Sequence, residues 1–395
     1  MRILHLTDIP PCTNYTAGIV QLHLSRFLLN DRHVIKCFAV VDPSLQPDIP
    51  EDIKNSISFK IVSKPREDYG NSKYGKVASL LGNNYNAAFK LPKIVKEIAD
   101  FIQDDKIDII WAVVQGQTMI RLLRMLYKKL HIPYVVEVWD PPQWWLNENK
   151  FDSFTYRQVM KDFAKVLYDA KCCLAASQNM AIAYKDLYGA STQAVIPGLD
   201  DSLKIPLKRI DTLHNFLIGF AGQMYAKDEF AMLLEALNRL NWTYNGRRIK
   251  VVLYGAYFHL NFARGANVIL RGWEPQETVL EELSGMDLLY CPYWFSEKYS
   301  VIAKLSFPSK LTTYLKTKVP VLIHAPRYAS ISTFIKDGIN GYRVTSLNPD
   351  EIKNVLMKII DNAENKNVGQ GGYELYLQHL TASRMKNNFY KALEI

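Results

Sequence analysis

Short apolar runs alternate along this chain with stretches whose apolar residues recur every three or four positions. In the first half Ile3–Thr7, Val34–Val41, Ile107–Val114, Tyr134–Val138, Cys172–Ala176 and Ala194–Ile196 read as strands. Ile19–Leu29, Leu91–Gln103, Thr118–Leu130 and Asn179–Tyr188 read as helices between them. The polar stretch Pro197–Ile210, with its Pro, Gly and Asp-Asp pair, reads as a linker. The alternation then restarts. Phe216–Ala221, Lys250–Tyr254, Val268–Leu270, Leu288–Cys291, Val319–Ile323 and Gly341–Val344 are predicted strands. Glu229–Leu240, Gln276–Ser284, Lys310–Thr317 and Ile331–Lys336 are predicted helices, with Asp350–Asn362 and Ala382–Leu393 closing the chain. This is the pattern of β-α-β units, and it predicts an α/β protein of two Rossmann-like, doubly wound parallel-sheet domains facing a central cleft. The expected division is 1–200, 211–375, and a last helix in 376–395 that packs back on the first domain.

Length agrees with two cores: the chain has 395 residues, beyond the roughly 250–300 at which one core stops growing. The five cysteines, Cys12, Cys37, Cys172, Cys173 and Cys291, show no C-x-x-C spacing. Neither a disulfide framework nor a zinc site is expected, and a reducing, cytoplasmic setting fits. The opening MRILHLTDIPP reads as a first strand rather than a signal peptide, and no apolar run is long enough to span a membrane. A net charge of +9 favours anionic partners. The basic residues are spread rather than striped, which argues against nucleic acid.

In open parallel sheets ligands sit beyond the carboxyl ends of the strands, so the loops there carry the candidate chemistry. Gly18 follows the first strand at a helix start, where it either admits a phosphate or sugar to the backbone or simply allows the turn. After Ala221-Gly222 come Gln223 and Lys227, the latter a cation at the start of the next helix or an ordinary solvated lysine. In Pro308-Ser309-Lys310, Ser309 is a candidate helix cap. Lys310 falls in the first turn, where a cation opposes the helix dipole unless an anion shares the site or the side chain bends into water.

The order of segments resembles the GT-B glycosyltransferases, in particular the family-4-like sugar transferases. The matching pieces in the first half are Gly18, "IPYVVEVWD" (132–140), "CLAASQNMAIAY" (173–184) and "VIPGLDD" (195–201). In the second half they are "IGFAGQMYAKDEFAMLLEAL" (218–237), "VILRGWEPQETVLEELSGMDLLYCPY" (268–293), "PSKLTTYLKTKVPVLIHAP" (308–326) and "FIKDGINGYRV" (334–344). The resemblance implies transfer of a sugar from a UDP- or GDP-linked donor, bound by the second domain, to a carbohydrate or lipid-linked acceptor bound by the first. It implies retention rather than inversion at the sugar carbon. Lys227 and Lys310 resemble the cations that hold the donor diphosphate. Trp273, at the end of Leu270–Trp273, and Tyr293 resemble the nucleoside surface. Gln223 stands where the family has an Arg, Leu305 and Thr313 where it has a Glu-x7-Glu pair, and Arg327-Tyr328 where it has Gly-Gly. No D-x-D metal anchor is present, so lysines and helix starts, with no metal or other cofactor, are expected to neutralise the leaving diphosphate. Ser309 and Thr313 are counted with the donor site.

Asp140, at the end of "YVVEVWD" and held by Pro141-Pro142, is the candidate catalytic carboxylate, or else a turn Asp. Glu297 is a second carboxylate, for sugar hydroxyls or for solvent. Trp139, Trp144 and Trp145 offer rings for sugars, for a lipid interface, or for the core. The helix Met119–Lys129 carries Arg121, Arg124, Lys128 and Lys129, which makes an anionic membrane surface at the cytoplasmic face a candidate partner beside the plainer reading of a solvated helix. A surface polysaccharide or glycolipid is the expected product. Two other readings remain open: a non-catalytic relative that binds a sugar or a partner protein, and a sugar-nucleotide epimerase of the same architecture.

Overall fold

After its first residue, strand β1 (Arg2–Thr7, RILHLT) is buried at every position, which suits the middle of a parallel sheet covered on both faces. It pairs in parallel with β2 (Val34–Val41) on one side and β4 (Ile109–Val113) on the other. With β3 (Ser58–Ser63), β5 (Tyr134–Val138), β6 (Cys172–Ala175) and β7 (Thr192–Ala194) the order is β3-β2-β1-β4-β5-β6-β7, parallel throughout. The computed structural model describes residues 1–200, 203, 205, 214–255 and 266–395.

A second sheet repeats the scheme. β8 (Asn215–Ala221) lies between β10 (Arg247–Tyr254) and β12 (Leu288–Pro292). β11 (Val268–Gly272), β13 (Val321–His324) and β14 (Tyr342–Val344) extend it to β11-β10-β8-β12-β13-β14, with the short β9 (Thr243–Tyr244) antiparallel on β10. Period-two alternation divides β8 between two cores. Phe216, Ile218 and Phe220 pack with Phe230, Leu233 and Leu237 on one face, while Leu217 packs with Leu289, Leu315 and Val321 on the other. Each sheet reverses its strand order beside the first strand of its unit, between β1 and β4 and between β8 and β12. That is where doubly wound sheets open a crevice for ligands.

The chain forms two compact units, Met1–Val195 with Lys386–Ile395, and Ile196–Met385. In the first, Phe389 packs edge-on against Trp111 at 5.0 Å, Asn388 Nδ2 donates to the Ala194 carbonyl and Lys386 pairs with Asp31. The predicted linker starts inside the second unit. Leu199 bridges to Thr381, and the carbonyls of Pro197 and Asp200 accept from Thr312 Oγ1 and Lys316 Nζ. Positions 201, 202, 204 and 206–210 of that stretch lie outside the described residues.

Those last two bonds explain why the helix Lys310–Lys316 is laced with lysine and threonine. Its polar side chains are turned inward, where each unpaired backbone carbonyl would cost about 1–3 kcal/mol. Thr312, Lys316 and Thr317 are buried, and Thr317 Oγ1 donates to the Tyr314 carbonyl.

Three long helices lie where none is predicted, Gly75–Tyr85, Ser153–Asp169 and Asn365–His379, along with the short Glu51–Ser56, Pro142–Glu148 and Ser300–Leu305. The second changes the reading of the basic helix Gly116–Leu130. Arg121 and Arg124 pair with Asp162 at 3.5 and 3.0 Å, and Arg124 also with Asp169 at 3.7 Å. These two cations are committed within the unit rather than offered to a membrane; Lys128 and Lys129 alone stay exposed. No helix among the described residues is long and apolar enough to cross a membrane.

Candidate functional site

At the carboxyl end of β8 the chain must turn sharply into the helix Lys227–Arg239. Tyr314 fixes the end of the strand: its hydroxyl accepts from the Ala221 N–H at 2.7 Å and donates to the Ala221 carbonyl at 3.2 Å. Gly222 follows with φ +99°, a conformation that glycine adopts without strain. The loop Gln223–Ala226 is held from above by aromatics of the loop after β12. Trp294 Nε1 donates to the Tyr225 carbonyl at 3.1 Å, and the two rings lie 4.5 Å apart. Tyr293 and Tyr299 flank Trp294 at 5.1 and 5.0 Å.

Glu229, in the first turn of the helix, is buried and accepts from the Phe295 N–H at 2.7 Å, joining the two loops at the switch point. Burial pushes its carboxyl up, against the bonds from backbone N–H groups. Below it Tyr290, whose hydroxyl reaches the Glu229 carbonyl, contacts the buried His324 at 2.7 Å. Burial holds that imidazole neutral, near a pKa of about 4.

Lys310 enters this corner from the Pro308-Ser309 turn. Ser309 occupies the cap position of its short helix, yet its side chain makes no capping bond. The Lys310 side chain folds back over the strand end. Its Nζ donates to the Gln223 carbonyl at 3.0 Å and stands 4.2 Å from the centre of the Tyr225 ring and 4.4 Å from that of Phe220. It forms no ion pair among the described residues, and burial pulls it down from the usual lysine range to about 8. One carbonyl and two rings satisfy an ammonium only in part, since it carries three donors. Cys291 nearby is an inert thiol, pushed up to about 12 by burial.

The corresponding crevice of the first unit is filled by its own side chains. Lys64 pairs with Asp8 at 3.0 Å, both buried. Glu67 accepts from the Thr118 N–H at 2.6 Å and from Trp145 Nε1 at 2.8 Å, so a carboxylate of the chain itself occupies the start of the helix Gly116–Leu130. Gly116, at φ +72°, is needed there: a Cβ would lie 2.4 Å from Glu67 Oε2. The start of the first helix is likewise occupied. A Cβ on Gly18 would lie 2.1 Å from Cys12 Sγ, so packing of the Pro10–Cys12 loop requires that glycine.

The predicted residues thus fall into groups. Gln223, Lys310 and Tyr293 gather at the β8–β12 switch point. Lys227 is exposed at its helix start, with no hydrogen bond or ion pair among the described residues. Trp273, 76% exposed, follows β11, and Thr313 is half-buried in the helix after Lys310. Glu297 is exposed in a short turn, close enough to Tyr328 to add to the upward push of burial on its hydroxyl. Asp140 lies two residues beyond β5 near Tyr184, whose hydroxyl burial raises far more than this carboxylate does. Trp139 and Trp144 keep ring N–H groups buried without partners. Sequence reasoning missed Tyr225, Glu229 and Trp294. The run Tyr293-Trp294-Phe295, one residue beyond the predicted strand Leu288–Cys291, is the available signal. Among the described residues no three His, Cys, Asp or Glu side chains gather as a metal site would require.

Two Rossmann-like parallel-sheet units in series, each with the order reversed beside its first strand, make this a GT-B fold. Residues 215–362, within the second unit, match the sequence profile of the family Glycosyl transferases group 1, so that unit resembles a divergent domain of that family. No curated protein matches the chain by sequence. Among solved structures, HepE of Anabaena in complex with UDP and glucose is similar with a TM-score of 0.66 at 15% identity, over 100% of this chain and 99% of that one. Sucrose-phosphate synthase from Thermosynechococcus elongatus has a TM-score of 0.72 at 12% identity, over 100% and 98%. A glycosyltransferase from Rickettsia africae has 0.69 at 12%, also over 100% and 98%.

Proposed function

We propose that this protein is a glycosyltransferase that moves a sugar from a nucleoside-diphosphate sugar, UDP- or GDP-linked, to a hydroxyl of a carbohydrate or lipid-linked acceptor. The observation that carries the reading is Lys310: a half-buried ammonium folded over the carboxyl end of β8, with no carboxylate partner among the described residues and donors to spare. A diphosphate supplies what that corner lacks. As the bond from the sugar carbon to the diphosphate oxygen breaks, negative charge builds on the leaving oxygen, and a fixed cation stabilises it without reorganisation. Gly222 leaves the backbone bare beside it, and Gln223 and Lys227 stand next in the same loop and helix start.

The family match over this unit supports the reading, as do the similar structures of HepE that hold UDP and UDP-glucose. Lys310 takes the charge-neutralising role without a divalent metal. Trp273, Tyr293, Glu297, Ser309 and Thr313 complete the donor side. Transfer proceeds with retention, and Asp140 positions a sugar or acceptor hydroxyl rather than taking its proton. Synthesis of a surface polysaccharide or glycolipid on the cytoplasmic side is the corresponding role.

The test is turnover of UDP- and GDP-sugars with and without added sugar acceptors, with EDTA present, followed by NMR of the product's anomeric centre. Acceptor-dependent release of nucleoside diphosphate is the expected result. Conversion to a second sugar nucleotide without acceptor means an epimerase, and binding without turnover means a non-catalytic relative.

A further inference from the structure

The helix Gly75–Tyr85 of the first unit is built inside out. Its buried positions are polar: Ser79 Oγ donates to Asp152 Oδ2 at 3.0 Å, Gln117 Nε2 donates to Asn83 Oδ1 at 2.6 Å, and Asn86, in the π-helical turn Asn86–Lys90, donates to the Arg66 carbonyl at 2.7 Å. Its outward face is apolar. Tyr74, Val77, Leu81, Tyr85 and Phe89 follow at helical spacing and are 74%, 63%, 67%, 54% and 59% exposed, with the Tyr85 and Phe89 rings 5.1 Å apart. A water-facing helix of a soluble domain has the reverse arrangement, and contiguous exposed apolar side chains of this kind mark a contact surface.

Charge identifies the contact. From Tyr69 to Lys96 the chain holds five lysines, Lys73, Lys76, Lys90, Lys93 and Lys96, and no Asp, Glu or Arg. All five are exposed and none forms an ion pair among the described residues. Tyrosine and phenylalanine beside unpaired lysines suit a water–hydrocarbon boundary with anionic headgroups, where rings enter the apolar layer and ammonium groups stay at its surface.

We infer that this face, from Tyr74 to Phe89 with its bordering lysines, seats the protein on an anionic lipid bilayer. The segment leaves the sheet at the carboxyl end of β3, the side on which ligands of such sheets bind, so a lipid-borne substrate lies in the same layer as the bound helix. This surface differs from the basic helix Gly116–Leu130, and it stands whether or not Lys310 binds a diphosphate.

Flotation of the full chain with vesicles of phosphatidylcholine alone, and of phosphatidylcholine with phosphatidylglycerol, tests it. Binding to the anionic vesicles only, reversed by added salt, is expected. Val77→Glu/Leu81→Glu and Lys73→Glu/Lys76→Glu/Lys90→Glu should each lower partitioning about ten-fold or more. Both sets lie at exposed positions, and circular dichroism and UDP affinity should match the wild type. Three outcomes overturn the inference: no binding to anionic vesicles, equal binding to both kinds, or binding that the variants retain. A dimer in light scattering that Leu81→Glu dissolves, with no vesicle binding, assigns the face to a second copy of the chain and overturns it as well.

Discussion

Lys310 Nζ donates to the Gln223 carbonyl at 3.0 Å, which ties the turn after Pro308 to the turn after β8 through an ammonium with no carboxylate partner among the described residues. The arrangement costs stability while the site is empty and gains value when an anion arrives. It therefore has a pH signature.

Lys310 has a pKa of about 8 in the fold, below the usual 10.5. The unfolded chain binds the proton more tightly, so the resulting stability deficit is complete below pH 8 and disappears as pH rises toward 10.5. Lys310→Met should raise the melting temperature at pH 7 by about 2–4 °C, with the gain shrinking above pH 8. Nucleotide affinity of the wild type should fall as pH rises through 8, and binding just above pH 8 should take up a proton, measurable by calorimetry in buffers of different ionisation enthalpy.

Glu137 gives the opposite slope in the first unit. It is buried beneath the sheet with one carboxylate oxygen accepting from Trp111 Nε1 at 2.8 Å, and burial raises it from 4.5 to about 7. The fold holds the proton that the unfolded chain releases, so stability declines from pH 4.5 to 7 and stays lower above that. Glu137→Gln keeps the acceptor and removes the charge. It should stabilise the protein at pH 8 by on the order of 2–3 kcal/mol and flatten this part of the profile in urea unfolding across pH.

Glu229 joins the two loops of the candidate site through the Phe295 N–H. Glu229→Ala leaves that buried donor unpaired and should cost about 1–3 kcal/mol, while Glu229→Gln should retain most of the stability. If the carboxylate positions the aromatic loop, nucleotide affinity should fall in Ala and recover in Gln; equal affinity in both variants assigns Glu229 to packing alone.

Much of the scaffold was legible from periodicity because each sheet is covered on both faces. Val34–Val41, Tyr134–Val138 and Gln276–Ser284 form over the same residues as predicted. β3, SFKIVS, escaped because it is an edge strand with no position fully buried. Gly75–Tyr85 escaped for a different reason: Ser79, Gly82 and Asn83, which face inward against Asp152, the Tyr69 ring and Gln117, are weak helix formers that read as loop and mask the apolar spacing around them. Lys310 could be singled out because a cation in a first helical turn is locally unfavourable. Its partners could not, since Phe220, Gln223 and Tyr225 lie some ninety positions away and meet it only once β8 and β12 are adjacent. The same holds for Thr312 and Lys316, whose purpose is visible only with the carbonyls of Pro197 and Asp200 beside them.

The most direct measurement is calorimetric titration of UDP and of GDP into the intact chain and into Lys310→Ala at pH 7. One nucleotide should bind the wild type, and the variant should bind it at least about ten-fold more weakly, the scale of one charge-assisted contact. Equal affinity in the two proteins, or no binding of either nucleotide to the wild type, would contradict the assignment of this ammonium to a diphosphate.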